Sequence, residues 1–330
     1  MKDRADGNPA APVVSVVTVC MNQPRRLAAC LDSLFRQNSR VPFEVWVVAY
    51  RFTPENLRWL RDKFPGVNVI ESNGIRGFAE NNNLALRRAR GRYCFCINDD
   101  TRMEMPTLDV LAESFEKQPD AAIFAPKILY PDGGVQYWGL PELTPLLWLS
   151  CDFRILKFGC LRSRWTNRPG IFRTKGIYGA AFMARTDVFR ELGYLDERYF
   201  FTPEDTALAS LAERRGHACY VNADAEIIHD DHATFSVHFL PVMVAIQRGY
   251  AIYFGRGGRI RRFAVDLMMA FRDIVRWLWW SCRRGESARE HRRVWRTLLG
   301  TAFSRATPKE LFLRHSAGGG QTAAEKGAGA

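Results

Sequence analysis

Hydrophobic positions in the first hundred residues follow two alternating rhythms. A β-branched run at residues 13–20 is followed by Pro24, a suitable opening residue for a helix, and by apolar residues at helical spacing through Phe35. A second apolar run at 43–50 precedes Pro54 and another helical stretch, and a short run follows at 67–70. Residues 77–90 return to the helical rhythm with Leu84 and Leu86 inward, and 93–98 read as a fourth strand. Short apolar strands separated by helices predict βαβ units, hence a parallel sheet covered on both faces. Ligands of such sheets bind beyond the carboxyl ends of the strands. That directs attention to residues 20–22, 49–51, 71–77 and 98–101.

Beyond residue 130 the pattern loosens. Residues 130–175 are loop-rich and carry Trp138, Trp148 and Trp165, which suits either an irregular packed subdomain or a wall that binds an acceptor. The run at 177–185 predicts a strand, and a helix from Glu204 to about Arg215 stops at Gly216, a residue type that tolerates the left-handed C′ conformation. Short strands near 218–221 and 226–229 close the body, which spans residues 13–240. Residues 241–315 form a basic helical extension, while 1–12 and the Ala/Gly-rich 316–330 are expected to be disordered.

Composition adds little until charge is located. The 330 residues are 47% hydrophobic and 25% charged, ordinary for a globular chain, and nine Trp leave membrane contact open. The net charge of +12 resembles a nucleic-acid signature. From Arg248 to Arg314, however, sixteen Lys and Arg against five acids leave an excess of eleven, so the rest of the chain carries only one. The body has no basic stripe with interleaved aromatics, so no nucleic-acid partner is expected. Eight cysteines without a C-x-x-C pair, an N-terminus lacking an apolar signal segment and no long uncharged apolar stretch predict a reduced, cytoplasmic chain without a transmembrane helix.

The basic extension has its own rhythm. Phe263, Leu267, Ala270, Phe271, Ile274 and Leu278 fall on one helical stripe, with Asp266, Arg272, Asp273 and Arg276 opposite. Trp277, Trp279 and Trp280 cluster just before Arg283 and Arg284. Such a helix either packs its stripe on the body or lies on an anionic membrane surface, and the excess of arginine favours the membrane.

Three places could carry chemistry. The strand Cys94-Phe95-Cys96-Ile97 runs into Asn98-Asp99-Asp100-Thr101, where adjacent carboxylates at a sheet edge suit either a divalent cation or a solvated turn with Asp100 capping a helix. Phe200-Phe201-Thr202-Pro203-Glu204-Asp205 puts two acids in the first turn of a helix, a position the helix dipole favours with or without catalysis. His229 ends a strand and precedes Asp230, Asp231 and His232. A phosphate loop, a dinucleotide fingerprint and a nucleophile elbow are all missing from the sequence.

Taken in order, residues 14–22, Gly77-Phe78-Ala79-Glu80-Asn81-Asn82-Asn83, Asn98-Asp99-Asp100-Thr101, Gly179-Ala180-Ala181-Phe182, Asp196-Glu197, Glu204-Asp205 and His229 resemble glycosyltransferase family 2. Within it they most resemble the rhamnosyltransferase-like members of bacterial surface-polysaccharide synthesis. The resemblance implies an α/β fold of GT-A type, a Rossmann-like sheet covered by helices. It also implies a nucleotide-sugar donor, UDP- or dTDP-linked, held through a divalent cation (Mg²⁺ or Mn²⁺), and an acceptor that is a saccharide or lipid-linked. By the same resemblance Asp100 and His229 are metal ligands, Asp99 lies near ribose and metal beside Asn98, and Asn83 lies near the nucleotide. Asp205 is the general base with Glu204 its neighbour, and Gly179 belongs to the substrate site.

Two positions depart from the family pattern. Cys20-Met21 stands where Thr-Tyr is usual, and Ala49-Tyr50-Arg51-Phe52 replaces the Asp-containing stretch that reads the base. Base recognition is therefore expected to be remade around Cys20, either by Tyr50 stacking or by Arg51. A rival of another class is a degenerate, non-catalytic protein that binds nucleotide or glycan; the joint presence of Asp99, Asp100, Asp205 and His229 argues against it.

Overall fold

β-Branched residues lose little rotamer freedom in an extended chain, and β1 (Val14–Met21) is buried along nearly its whole length. Pro24 presets the backbone of the first turn of α1 (Pro24–Arg36), whose Leu27, Cys30, Leu31 and Leu34 recur at helical spacing against the sheet. The rhythm repeats through β2 (Phe43–Tyr50), α2 (Pro54–Lys63), β3 (Asn68–Ser72), α3 (Phe78–Leu86) and β4 (Tyr93–Asn98). The Thr53 hydroxyl accepts from the N–H of Asn56 to cap α2. The computed structural model describes residues 11–136, 139–153, 168–230 and 239–317. Of the segments expected to be disordered, 1–12 and 316–330, residues 1–10 and 318–330 lie outside them, as do Trp138, Trp165, Asp231 and His232.

The second half of the body comprises β5 (Thr101–Arg102), α4 (Thr107–Lys117), β6 (Ala121–Leu129), β7 (Gly139–Leu140), α5 (Pro145–Asp152), β8 (Ile171–Thr174), β9 (Gly176–Ile177), β10 (Ala181–Arg185), α6 (Thr186–Leu192), α7 (Glu204–Arg214) and β11 (Ala218–His229). The main sheet runs β3-β2-β1-β4-β10-β6-β11-β5, with β8 also on β11. Its first four strands are parallel, as the sequence predicts. The sheet as a whole is mixed, because β10 runs antiparallel between β4 and β6. The chain reaches β10 through a short turn at the carboxyl edge of β4, where the N–H of Asn98 donates to Ala180 O (2.9 Å), so it can only descend.

Three other elements differ from expectation. The run 177–185 is broken at Tyr178–Ala180 into β9 and β10. The two strands expected near 218–221 and 226–229 are one strand, β11, with an irregular register between Asn222 and Glu226. The third helix stops at Leu86, and its buried side holds Asn81, Asn82 and Asn83 beside Ala79, Ala85 and Leu86.

The basic extension folds into α8 (Phe239–Phe254), α9 (Arg259–Ser281), α10 (Glu286–Thr301) and α11 (Pro308–Ala317). Ser316 and Ala317, expected in the disordered end, complete α11. The helices sit directly on the body. Gly249 of α8 lies so close to the chain that a Cβ there would stand 2.2 Å from Thr202 O, and Phe312 packs its ring on Phe200 and Phe201. Ring contacts of Phe263 with Phe303 and of Trp280 with His291 show that α9 and α10 run antiparallel. No described helix is long and apolar enough to cross a membrane.

Candidate active site

The buried strand β4 delivers Asn98, Asp99 and Asp100 to the carboxyl edge of the sheet, where the chain turns back into β5. That two-residue strand pairs with the end of β11, Thr101 opposite His229, and so brings the imidazole to Asp100: His229 Nε2 lies 3.2 Å from Asp100 Oδ1. From the first turn of α1, Arg26 Nη1 reaches both acids, 3.9 Å from Asp99 Oδ1 and 3.8 Å from Asp100 Oδ2. Cys20, at the edge of β1, is buried close to Asp99, and its thiol donates to Gln23 O at 3.6 Å.

Burial pushes the Asp99 carboxyl up to about 6, with Asp100 adding to the rise and the Cys20 thiol and Arg26 opposing it. Burial also acts on Asp100, but there the His229 ring and Arg26 outweigh it and hold the carboxyl below its usual range. Burial, with Asp99 adding, drives the Cys20 thiol far above its usual range, so it stays protonated. The cluster thus keeps Asp100 ionised.

Gln136, unnoticed in the sequence, sets the tautomer of His229. Its amide Nε2 donates to the carbonyl oxygen of His229 (2.6 Å), which fixes the amide's orientation and leaves Oε1 to accept from Nδ1 at 2.8 Å. Nδ1 therefore carries a proton. Nε2 faces Asp100 Oδ1 at 3.2 Å: a proton there is what lets the ring hold that carboxyl low, and in the neutral ring Nε2 turns a lone pair toward it instead. Two acceptors aimed at one point call for a cation between them, either a proton or a metal ion. Asp100 and His229 fit a divalent ion with Gln136 behind them as an orienting group. Among the described residues no group of three His, Cys, Asp or Glu gathers for a metal. A cation here would take its remaining ligands from water and phosphate oxygens, as Mg²⁺ commonly does.

Removing the orienting group has a defined consequence. Gln136→Ala is expected to weaken Mn²⁺ binding by roughly 10- to 100-fold. Calorimetric titration of the purified variant checks it, and unchanged affinity would mean that the ring needs no such support.

The second acidic centre forms where β10 is interrupted. Gly179 N–H donates to Asp205 Oδ2 at 2.7 Å, and the N–H of Thr206 donates to Oδ1 at 2.5 Å. A Cβ on Gly179 would come within 3.0 Å of the same carboxylate, so only glycine fits there without displacing it. Burial raises the Asp205 carboxyl above its usual range, and the two N–H donors oppose it. Asp205 lines a cavity of about 230 Å³ walled by Leu140, Leu147, Trp148, Tyr178 and Tyr250. Glu204 does not line that cavity: it is buried, its Oε2 has no hydrogen-bond partner, and burial together with Asp205 pushes it well above the usual carboxyl value. Tyr178 joins the two centres, its ring set edge-on against His229 at 6.0 Å and also forming part of the cavity wall.

Tyr50 ends β2 opposite Met21 of β1, and its hydroxyl accepts from the N–H of Arg76 at 3.3 Å, so its ring stands at the same sheet edge. Asn98, on β4 with β1 between it and Tyr50, is half-buried, its carbonyl accepting from Thr101 Oγ1. Asn83 is not brought to this edge. It is fully buried, and its amide bonds Leu195 N, Leu195 O and Glu197 Oε1, which ties α3 to the loop before α7. A buried amide with every group engaged has nothing left for a nucleotide. Asn83→Ala is accordingly expected to lower stability by about 1–3 kcal/mol, through unpaired Leu195 backbone groups, and to leave nucleotide affinity unchanged. Urea unfolding alongside a nucleotide titration separates the two effects.

A mixed sheet with an acidic turn after its fourth strand and a carboxylate-lined cavity beside it is an α/β fold of GT-A type. The chain belongs to Glycosyl transferase family 2, whose profile matches residues 15–192. It is 24% identical over 233 residues to the O-antigen biosynthesis protein RfbC of Myxococcus xanthus, a match that spans 70% of this chain but 18% of that protein. Among solved structures it resembles the mannosyltransferase PcManGT from Pyrobaculum calidifontis, in complex with GDP-Man and Mn²⁺ (TM-score 0.51, 15% identity, 96% of this chain and 84% of that one). It also resembles S. aureus TarS 1–349 (0.52, 17%, 90% and 82%) and GalNAc-T7 with UDP, GalNAc and Mn²⁺ (0.52, 14%, 66% and 43%).

Proposed function

We propose that this chain is a metal-dependent, inverting glycosyltransferase that moves a hexosyl or rhamnosyl group from a UDP- or dTDP-sugar to a saccharide or lipid-linked acceptor in bacterial polysaccharide synthesis. The observation that carries the proposal is the bridging position of Tyr178, whose ring meets His229 on one side and the Asp205 cavity on the other. Donor and acceptor chemistry need two such adjoining centres. The Mn²⁺ present with nucleotide ligands in two similar structures, and the naming of the M. xanthus relative for O-antigen synthesis, support the same reading.

In this reading Asp100 and His229 hold the divalent cation and Asp99 with Asn98 approaches the ribose. Tyr50 stacks on the base, and Cys20 supports Asp99 from below. The cation, when bound, acts as a Lewis acid for the charge that builds on the leaving diphosphate. Arg26, close to both acids, adds a positive charge to the same region. Asp205 accepts the proton of the acceptor hydroxyl while that oxygen bonds to the anomeric carbon, and the diphosphate departs with the electron pair of the bond that breaks. One displacement with no protein nucleophile inverts the anomeric configuration. The apolar walls of the cavity suit the hydrophobic face of a pyranose, and a lipid-linked acceptor would set the reaction at an anionic membrane surface on the cytoplasmic face of the inner membrane.

The test is turnover with a panel of UDP-, dTDP- and GDP-sugars, read as nucleoside diphosphate release with Mn²⁺ and with EDTA. Release from one nucleotide class in Mn²⁺ alone supports the proposal. Nucleotide binding without release from any donor would favour the non-catalytic binding protein instead.

A further inference from the structure

α9 is folded inside out. Its buried side carries Asp266, Arg272 and Asp273, each no more than 3% exposed, while its outer side is apolar. Arg272 and Asp273 are hydrogen-bonded, while Asp266 Oδ1 has an arginine beside it but no hydrogen-bond partner. Arg272 donates to Asp273 Oδ1 (2.7 Å) and to the Gln247 side chain, Gln247 in turn donates to Asp273 Oδ2 (2.8 Å), and Arg248 lies 3.7 Å from Asp266. The Arg272 guanidinium is also sandwiched over Trp148 (4.7 Å) and Trp295 (5.2 Å). Outward, Ile260, Phe263, Leu267, Phe271, Ile274 and Leu278 stand at i, i+3, i+7, i+11, i+14 and i+18. All six are exposed, all but Ile274 by more than half. At 1.5 Å per residue that stripe is about 27 Å long, and its arc of the helix carries no charged side chain.

Charge surrounds the stripe. At its end Trp279 is exposed, and the Arg283 guanidinium lies over its ring at 4.3 Å. At its beginning Phe263 meets Phe303, just past α10. Arg296 and Arg289 precede Phe303 by seven and fourteen residues, so the helical repeat puts them on the same line of α10, and both are exposed. Two exposed arginines of α10 thus share the helix side that leads to Phe303, which meets the beginning of the apolar stripe. Within residues 248–314, Arg276 and Lys309 are paired with Asp152 and Glu80 of the body, which leaves nine of the eleven excess positive charges for the outer surface. A second copy of the chain would bring an equal positive excess against this one, whereas anionic lipid complements both the stripe and the arginines.

We infer that the outer face of α9, with Arg289 and Arg296 of α10, lies flat on an anionic lipid surface, the apolar stripe immersed among the acyl chains and the arginines at the phosphates. The inference rests on the membrane placement proposed for this enzyme and identifies the face responsible, and it does not depend on which sugar is moved. Stripe and acceptor cavity lie on different sides of one helix, since Trp148 touches Arg272 on the inner side of α9 and lines the cavity beside Asp205.

Flotation of the full chain with vesicles tests this. The wild type is expected to float with vesicles of phosphatidylglycerol and phosphatidylethanolamine at low salt and to stay behind with phosphatidylcholine alone. The triple variant Leu267→Gln, Phe271→Gln, Leu278→Gln is expected to lose at least tenfold of its bound fraction with an unchanged far-ultraviolet circular dichroism spectrum. A double variant Arg289→Glu, Arg296→Glu, which touches no apolar residue, is expected to lose binding in the same way. Equal flotation of wild type and variants, equal binding of the wild type to both lipids, or no binding to either would overturn the inference. A concentration-dependent dimer that the triple variant loses, without vesicle binding, would assign the stripe to a second copy. Donor turnover measured without vesicles reports on the transfer chemistry separately, so failure of one is not mistaken for failure of the other.

Discussion

Asp205→Asn is expected to lower transfer by about 10²- to 10⁴-fold, the usual contribution of a positioned general base, while Mn²⁺-dependent donor binding persists. The amide is nearly isosteric but accepts no proton, and one of its two faces must now present N–H₂ to a backbone donor, either Gly179 or Thr206. A stability loss of about 1–3 kcal/mol therefore accompanies the variant and is measured separately by thermal unfolding. Burial raises the Asp205 carboxyl, and the base acts only when ionised, so the wild-type rate is expected to fall with decreasing pH from a point above the ordinary carboxylate range. If the folded variant retains most of its turnover, the base is another group.

The second large effect is expected from Asp100→Ala. This change removes one of the two groups that converge on the candidate cation position and leaves His229 Nε2 without its neighbour. Donor affinity in Mn²⁺ should fall by at least the roughly 10- to 100-fold that follows loss of a mere orienting partner. EDTA should do the same to the wild type and nothing further to the variant. Unchanged affinity under both treatments would mean that Arg26 alone balances the acids and that the donor binds without a metal.

Much of the architecture is legible in the sequence because the first four strands and their helices each carry one unambiguous period. The Asn98-Asp99-Asp100 turn is legible for a related reason, since an apolar strand that ends in two carboxylates can only place them at the sheet edge. The direction of β10 is not, because nothing local to Ala181–Arg185 says that the chain re-enters the sheet from the carboxyl side of β4. Gln136 and Arg26 are invisible for a different reason. Each acquires its role from a residue far along the chain, Gln136 from His229 and Arg26 from the two aspartates, and neither lies in a motif. Asn83, expected near the nucleotide on resemblance alone, is a buried clamp on Leu195, a role that no local motif announces.

α9 makes the limit of periodicity plain. A stripe of apolar residues at helical spacing states that two faces differ, but not which one turns inward. The usual assignment buries the apolar face, and it fails here because Asp266, Arg272 and Asp273 meet Arg248, Gln247, Trp148 and Trp295, partners contributed by α8, α5 and α10. Pairing in this way offsets part of the desolvation cost of burying them. The apolar face is then the one left over for whatever lies outside.

The account turns on one site, the Asp99, Asp100 and His229 cluster, as the place where a nucleotide is held through a divalent cation. Thermal unfolding with UDP, dTDP and GDP, each with Mn²⁺ or with EDTA, tests it most directly. A ligand present at about a hundred times its dissociation constant stabilises the folded state by about 2.7 kcal/mol, a rise of several degrees in Tm. The account predicts that rise for one nucleotide class in Mn²⁺ only, and its loss in Asp100→Ala. A Tm unmoved by every nucleotide, or raised equally in EDTA, would contradict it.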